Sequence, residues 1–365
     1  MDILLLQPWY SVDGHPYDTT NLTVEVLQRN YKVRVLINHS GSELKEVPSH
    51  IHGNFTIFRY NKKLLLKPIY TLLLGFYSLL NRHKGAVYWL DCEPFLALCC
   101  EILRKKHTTS LISLLNPPTR IRKWKVYFLV RLTAKFGKNI RFVVRTDMIY
   151  NEWVNYGIDD YNLIISPSPI ISNQRALNTK DFQLSSKKKF LIFGQLRTGK
   201  SILELIRAFK ELSLYDLNIR GPALEKEFLH QISMEASSLE NVYLVDRFHN
   251  QTELEDAFVN NDFVLLLYDE HWSKYMESGI LFLCGQYHKH VITYDDCWIS
   301  DMVKKYGIGY IIDRNVNLAD QIASVLTRHT IEEAVDARKF ERFLNDFSAE
   351  CLLFELFEGK NNVFS

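Results

Sequence analysis

Long apolar runs, paired cysteines and net charge are all scarce in this chain. No apolar stretch reaches the roughly 20 residues that a membrane-spanning helix needs. The nearest, LLLKPIYTLLLGFYSLL at 64–80, is interrupted by Lys67 and Pro68 and reads as a buried or interfacial helix. The six cysteines, Cys92, Cys99, Cys100, Cys284, Cys297 and Cys351, form no CxxC pair and share no spacing with histidine. That excludes a cysteine–histidine zinc site and points to buried thiols in a reducing compartment. A formal net charge of only +2 argues against a protein built around nucleic-acid binding. The opening MDILLLQPWY lacks the basic flank and the apolar length of a signal peptide and reads as a first buried strand. There is no repeat at solenoid spacing, and the first half has no DxD-type metal motif.

What remains is a globular composition, 47% apolar and 24% charged, over 365 residues, enough for two domains with a core each. Positive charge gathers in the first half: Arg104, Lys105 and Lys106, then Arg120, Arg122, Lys123 and Lys125 around Trp124, and Arg131. Such clusters form either a solvated face or a surface for anions such as phospholipid. Short apolar runs (Ile3 to Leu6, Val33 to Ile37, Val87 to Leu90, Ser110 to Leu115, Arg141 to Val144, Leu163 to Ile165) alternate with helical patterns such as Asp18 to Arg29. This is the pattern of parallel βαβ units in a doubly wound α/β sheet. The pattern lapses over 166–189 and restarts at Phe190. The expected organisation is therefore a Rossmann-like domain over 1–165, a linker over 166–189, a second Rossmann-like domain over 190–330, and a C-terminal segment, 331–365, packing back on the first domain. Its helical stretch runs from Glu332 to Phe357.

Residues 190–209, FLIFGQLRTGKSILELIRAF, join an apolar run to an amphipathic one through a glycine-containing octet. Strand, loop and helix in that order make a phosphate site, because the first turn of a helix presents free N–H groups and the positive end of its dipole. Gly194, Gly199, Lys200 and Ser201 match the GxxxxGK[ST] pattern of P-loop nucleotide hydrolases, and Val264 to Tyr268 followed by Asp269 and Glu270 supplies the apolar run and acid that hold magnesium in them. That reading leaves a complete α/β domain upstream without a role.

The segment 190–313 also resembles the donor domain of bacterial GT-B glycosyltransferases of the family 4 type. Gly194, Arg197 and Lys200 keep the glycine and both cations of that family's donor loop, and Leu205, Ile206, Ala208 and Phe209 keep its following helix. NIRGPA at 218–223, LVDRF at 244–248, Glu253 to Val259 before DFVLLLY, ESGILFLCGQYHKHVIT at 277–293 and GIGYIID at 307–313 follow in the family's order. The resemblance implies a GT-B fold, two Rossmann-like domains facing a central cleft, and transfer of a hexose-type sugar from a nucleotide diphosphate sugar. It implies no further cofactor and no metal: Gly194, Arg197 and Lys200, with Glu277 and the helix start at Ser278 and Gly279, would stabilise the leaving diphosphate. Ser201 stands where the family has glycine. The family's second glutamate, eight residues after the first, falls on Gly285, or on Leu283 in a shifted register, and neither can bind ribose through a carboxylate. A weakened or non-catalytic relative is therefore a further alternative.

In the first domain, Asp13, Gly14, His15 and Pro16 form a loop between the first strand and helix. The resemblance places this loop at the donor, with Gly14 allowing close approach and His15 as a general base. Its ordinary pKa suits that task, and Asp13 is the alternative base. Asp91 and Glu93, after the strand in VYWLDCEPF, would orient His15 or meet the acceptor; ordinary helix-capping acids are the other reading. Trp124 and Tyr127 are candidates for sugar stacking or a membrane interface. With the stretch at 64–80, they suggest a cytoplasmic protein, peripheral at the inner face of the cell membrane, acting on a lipid-linked saccharide in surface-polysaccharide synthesis.

Overall fold

The computed structural model describes residues 2–10, 15–39, 57–59, 67–80, 85–104, 109–168, 188–269, 274–332, 337–348, 351 and 356. The chain divides into two compact units, Met1–Ile171 with Phe347–Ser365, and Ser172–Asp346.

In the first unit the elements run β1 (Asp2–Tyr10), α1 (His15–Gln28), β2 (Lys32–His39), β3 (Ile57–Arg59), α2 (Lys67–Leu80), β4 (Ala86–Trp89), α3 (Pro94–Leu103), β5 (Ser110–Ser113), α4 (Lys123–Phe136), β6 (Ile140–Val144), α5 (Asp147–Asn155) and β7 (Leu163–Ile165). The strands pair in parallel in the order β3-β2-β1-β4-β5-β6-β7. Every residue of β4, β5 and β6 is buried, as expected where helices cover both faces of a parallel sheet. One core cluster joins Ile3, Leu5, Val35, Tyr88 and Val143 to Leu356 from the chain's C-terminal segment.

The second unit runs β8 (Lys189–Phe193), α6 (Ile202–Glu211), β9 (Asp216–Arg220), α7 (Lys226–Ala236), β10 (Val242–Val245), α8 (Gln251–Val259), β11 (Phe263–Leu266), α9 (Gly279–Gln286), β12 (His290–Tyr294), α10 (Trp298–Tyr306), β13 (Gly309–Ile312), α11 (Leu318–Glu332) and α12 (Ala337–Asp346). Its sheet, again all parallel, is ordered β10-β9-β8-β11-β12-β13. α6 buries Ile202, Leu205, Ile206 and Phe209 on one face, the i, i+3, i+4, i+7 spacing of an amphipathic helix.

Three elements depart from the sequence reading. β3 is a three-residue edge strand, too short to register as an apolar run. α10 was not expected, because its N-cap is Cys297, a residue type outside the usual Ser, Thr, Asp and Asn set. Cys297 Sγ accepts from the Ser300 amide at 3.4 Å and Ser300 Oγ accepts from the Cys297 amide at 3.2 Å, a capping box with sulfur in place of oxygen. The stretch from Glu332 to Phe357 is not one helix returning to the first domain. α11 ends at Glu332, and α12 begins at Ala337 and packs within the second unit, where Phe343 stacks on Phe282 at 5.9 Å and Phe340 on His288 at 5.3 Å. α12 has buried its two phenylalanines there, so only the chain beyond it, from Phe347, falls in the first unit.

Candidate diphosphate site

Both sheets reverse their winding beside their first strand. In the second unit, β9 and β10 lie on one side of β8, and β11, β12 and β13 on the other. A crevice at the carboxyl ends of strands opens at such a reversal, and ligands of doubly wound sheets bind there. The two segments that meet at this reversal are the octet leaving β8 and the segment entering α9. The sequence reading names residues in both: Gly194, Arg197 and Lys200 in the first, and Glu277, Ser278 and Gly279 in the second.

The octet turns on two left-handed glycines, Gly194 at φ +91° and Gly199 at φ +88°. Leu196 then makes a short parallel bridge to Ala223, donating to Pro222 O at 2.9 Å and accepting from the Leu224 amide at 3.1 Å. This contact needs Gly221, whose φ is +145° and where a Cβ would lie 2.0 Å from the carbonyl oxygen of Gly194. On the other side the Asp269 amide donates to Gly199 O at 2.9 Å, fastening the loop after β11 to the octet.

Lys200 is the centre of the site. Only 7% exposed, it donates from Nζ to the carbonyl of Phe193 at 3.3 Å. Burial, and then the nearby Arg197 guanidinium, push its pKa down from 10.5 to about 7. Nζ lies 5.7 Å from the centroid of the Tyr268 ring, and the Tyr268 hydroxyl is 3.3 Å from Ser278 Oγ. Burial raises the Tyr268 pKa to about 12, so that hydroxyl stays protonated. Tyr268 thus connects Lys200 to the N-cap of α9. Ser278 makes no side-chain cap, and a Cβ added to Gly279 would meet nothing within 4 Å. The first turn of α9 therefore begins at open space, with its dipole directed there. Gly194 lies close to both, its ideal Cβ 3.6 Å from Lys200 Nζ and 3.5 Å from Ile280 Cδ1.

Gly194, Lys200, Ser278 and Gly279 are thus gathered at one point, with Arg197 near enough to depress the Lys200 pKa. Glu277 is the half-buried residue before Ser278. Tyr268 was named in the sequence only as the end of an apolar run, and Gly221 only within NIRGPA, neither as a site residue. The octet does not place its last two letters on a helix. Ser201 sits in the left-handed region at φ +43°, with Oγ 3.5 Å from the Tyr294 hydroxyl, and α6 starts only at Ile202. A P-loop reading needs the Ser201 hydroxyl for magnesium, and it is turned to Tyr294 instead. Neither position for a second glutamate is vacant for one: Gly285 is buried, with Phe343 Cδ1 2.7 Å from where a Cβ would be, and Leu283 is half-buried on α9.

In the first unit the corresponding reversal lies between β1 and β4, whose register runs from Ile3 opposite Ala86 to Leu6 opposite Trp89. His15 is the first residue of α1, the helix that follows β1 in the chain. Its side chain, and the whole of Asp13 and Gly14, lie outside the described residues. Asp91 follows β4 beside the end of β1, where the Leu90 amide donates to Leu6 O at 2.8 Å, and has a left-handed φ of +38°. It does not cap α3. That role belongs to Glu93, whose Oε2 accepts from the Leu96 amide at 2.8 Å and whose Oε1 accepts from Lys125 Nζ at 2.5 Å.

No protein-family model matches the chain, and no curated protein matches it. Solved structures do match along its whole length. A glycosyltransferase from Rickettsia africae superposes with a TM-score of 0.74 at 13% identity, covering 98% of this chain and 97% of its own. HepE of Anabaena in complex with UDP gives 0.72 at 13% identity, covering 98% and 99%. The lipopolysaccharide outer core galactosyltransferase WaaB gives 0.66 at 14% identity, covering 98% and 99%. The chain has the GT-B fold. Two parallel sheets in the same doubly wound order, matched end to end by glycosyltransferases of that architecture, are the observations on which this rests.

Proposed function

We propose that the chain is a glycosyltransferase that moves a hexose-type sugar from a nucleoside diphosphate sugar to a saccharide acceptor. The observation that carries this reading is Lys200, a buried lysine at the sheet reversal whose described partner is a backbone carbonyl and not a carboxylate. Burying a cation that way is costly unless an anion completes the site. A diphosphate would restore the Lys200 charge, fork onto Arg197 and receive the amides at the start of α9, all of which grow stronger as negative charge builds on the leaving phosphate. Cations and a helix start supply that stabilisation without a metal ion, so chelation with EDTA is expected to leave transfer intact.

HepE, matched along its whole length, has been solved with UDP and with UDP-glucose, which makes a uridine nucleotide the first donor to test. A thermal-shift panel of UDP, GDP and ADP checks the reading. Saturation at a hundred times Kd raises stability by about 2.7 kcal/mol. No shift with any of the three, or a shift unchanged in Arg197→Ala and Lys200→Ala, refutes it. On the acceptor side, His15 at the start of α1 is the proposed base, with Asp13 as its alternative and Asp91 as its orienting partner. The proposed acceptor is lipid-linked, used in surface-polysaccharide synthesis by a cytoplasmic enzyme at the inner membrane face. The missing carboxylate at Gly285 and Leu283 favours one second reading, a glycosyltransferase-like subunit that binds donor without turning it over. Hydrolysis of donor sugar by the purified chain would dismiss that alternative.

A further inference from the structure

The helix layer on one face of the first sheet has an outer surface of the wrong polarity for water. α2, α3 and α4 each belong to a connection that moves the chain towards β7, and right-handed crossovers place such helices on the same face. α2 packs on α3 and α3 on α4, with Phe95 of α3 5.4 Å from Trp124 of α4. The outward stripe of α2 is Ile69, Leu73, Phe76 and Leu80, spaced as one helical face and up to 80% exposed at Leu80. On α6 of the second unit the outward positions are Glu204, Arg207, Lys210 and Glu211, the ordinary arrangement for a surface helix. α3 adds Leu103, 61% exposed, and its one acid, Glu101, is turned inward onto Arg104.

α4 continues the apolar layer and adds charge of one sign. Trp124, Tyr127 and Phe128 are all exposed, and on the same helix so are Lys123, Arg131 and Lys135. Neither α2 nor α4 contains an aspartate or glutamate. Lys125, the remaining cation of α4, is taken up by Glu93 at 2.5 Å. Exposed apolar side chains on α2 and α3, and on α4 Trp, Tyr and those Lys and Arg that no described carboxylate pairs, match an interface between acyl chains and anionic headgroups. No described helix is long and apolar enough to cross a membrane.

We infer that the outer face of α2, α3 and α4 is a docking surface for an anionic phospholipid bilayer. The charge decides the occupant: a second copy of this chain would bring the same cations against themselves, whereas an anionic surface neutralises them. The inference deepens the reading above, on which it rests for the presence of a membrane-borne acceptor; vesicle binding itself needs no transfer.

The test is flotation of the full chain with vesicles of phosphatidylcholine alone or with about 30 mol% phosphatidylglycerol. Binding is expected only with the anionic vesicles, weakening as salt is raised. Leu73→Glu/Phe76→Glu should lower the bound fraction at least tenfold and Arg131→Gln/Lys135→Gln severalfold. Both variants should keep the UDP-induced thermal shift of the parent, which shows that they are folded. Absence of wild-type binding to anionic vesicles, or equal binding by the variants, overturns the docking surface. So does a dimer in light scattering that Leu73→Glu/Phe76→Glu dissolves while vesicle binding is absent. Binding to vesicles without any response to UDP would leave the docking surface standing and remove the proposed function instead.

Discussion

The two sheets of this protein reverse their winding at the same place, beside their first strand, yet the described side chains at the two reversals differ. In the second unit the strand-end loops bring a buried cation, Lys200, and its neighbour Arg197 to the start of α9. In the first, the loop after β4 carries acids: Asp91 in a left-handed conformation and Glu93 tied to Lys125 and to the α3 amide. One buried ion pair of the first unit, Glu101 with Arg104, lies elsewhere and is closely matched. Glu101 accepts from Trp89 Nε1 at 2.8 Å, from Arg104 Nε at 2.9 Å and from Ser110 Oγ at 2.5 Å, while Arg104 also donates to Ser78 Oγ at 2.8 Å. That network joins α2, α3, β4 and β5. A charge paired within its own unit holds a fold together; Lys200, whose described partners are a backbone carbonyl and a ring face beside the sheet reversal, stands where an anion can complete it. A shared topology therefore supplies two equivalent crevices, and local side chains decide which of them suits an anion.

Breaking the matched charge should have the largest effect on stability. Glu101→Leu leaves Arg104 buried without its carboxylate and is expected to cost about 3–5 kcal/mol in urea unfolding of the first unit. A cost under about 1 kcal/mol would mean that the network is not a structural tie. Gly221→Ala comes next, at about 2–4 kcal/mol, since its Cβ has only the Gly194 carbonyl to meet. Gly279→Ala, facing open space, should stay within about 0.5 kcal/mol in the same assay.

Lys200 should reverse this logic. Its pKa is about 7 in the native state and near 10.5 unfolded, so below pH 7 both states hold the proton and the burial cost is present in full. As pH rises from 7 towards 10.5 the unfolded chain holds more protons, and stability should climb by about 1 kcal/mol per pH unit. Lys200→Met should lose that slope and be no less stable than wild type at pH 7. A wild-type curve that falls over this range would remove the buried-cation account. UDP affinity should move the other way, weakening up to about tenfold per unit above pH 7 as the native lysine loses the charge that the diphosphate needs. Titration calorimetry at several pH values checks this, and an affinity independent of Lys200 and of pH would contradict it. A comparably small effect is expected at Asp91. Asp91→Gly relieves a left-handed residue at an offsetting cost in chain entropy and should stabilise by no more than about 1 kcal/mol, so a loss of stability would show that the carboxylate holds its loop.

Much of the fold is legible along the chain because parallel strands buried on both faces read as short apolar runs, and both units are built of little else. The elements that escape the eye lack that signal: β3 has three residues, and α10 is capped by a cysteine. The single helix expected from Glu332 to Phe357 failed for a different reason. Periodicity shows that Phe340 and Phe343 share a face, but not that Phe282 and His288 are what cover it.

The octet shows the same division. Its letters fit the P-loop pattern fully and the glycosyltransferase loop less perfectly, and sequence alone determined that a cation, glycines and a helix start stand together in the chain. Tertiary structure decided that Ser201 turns out of the helix, that Lys200 is buried against the Phe193 carbonyl, and that Tyr268 links it to Ser278, 78 residues after Lys200 in the chain. Spacing along a chain fixes which residues can share a turn. Which of them lose water, and so which charges are left to be completed, depends on strands that are neighbours only in the sheet.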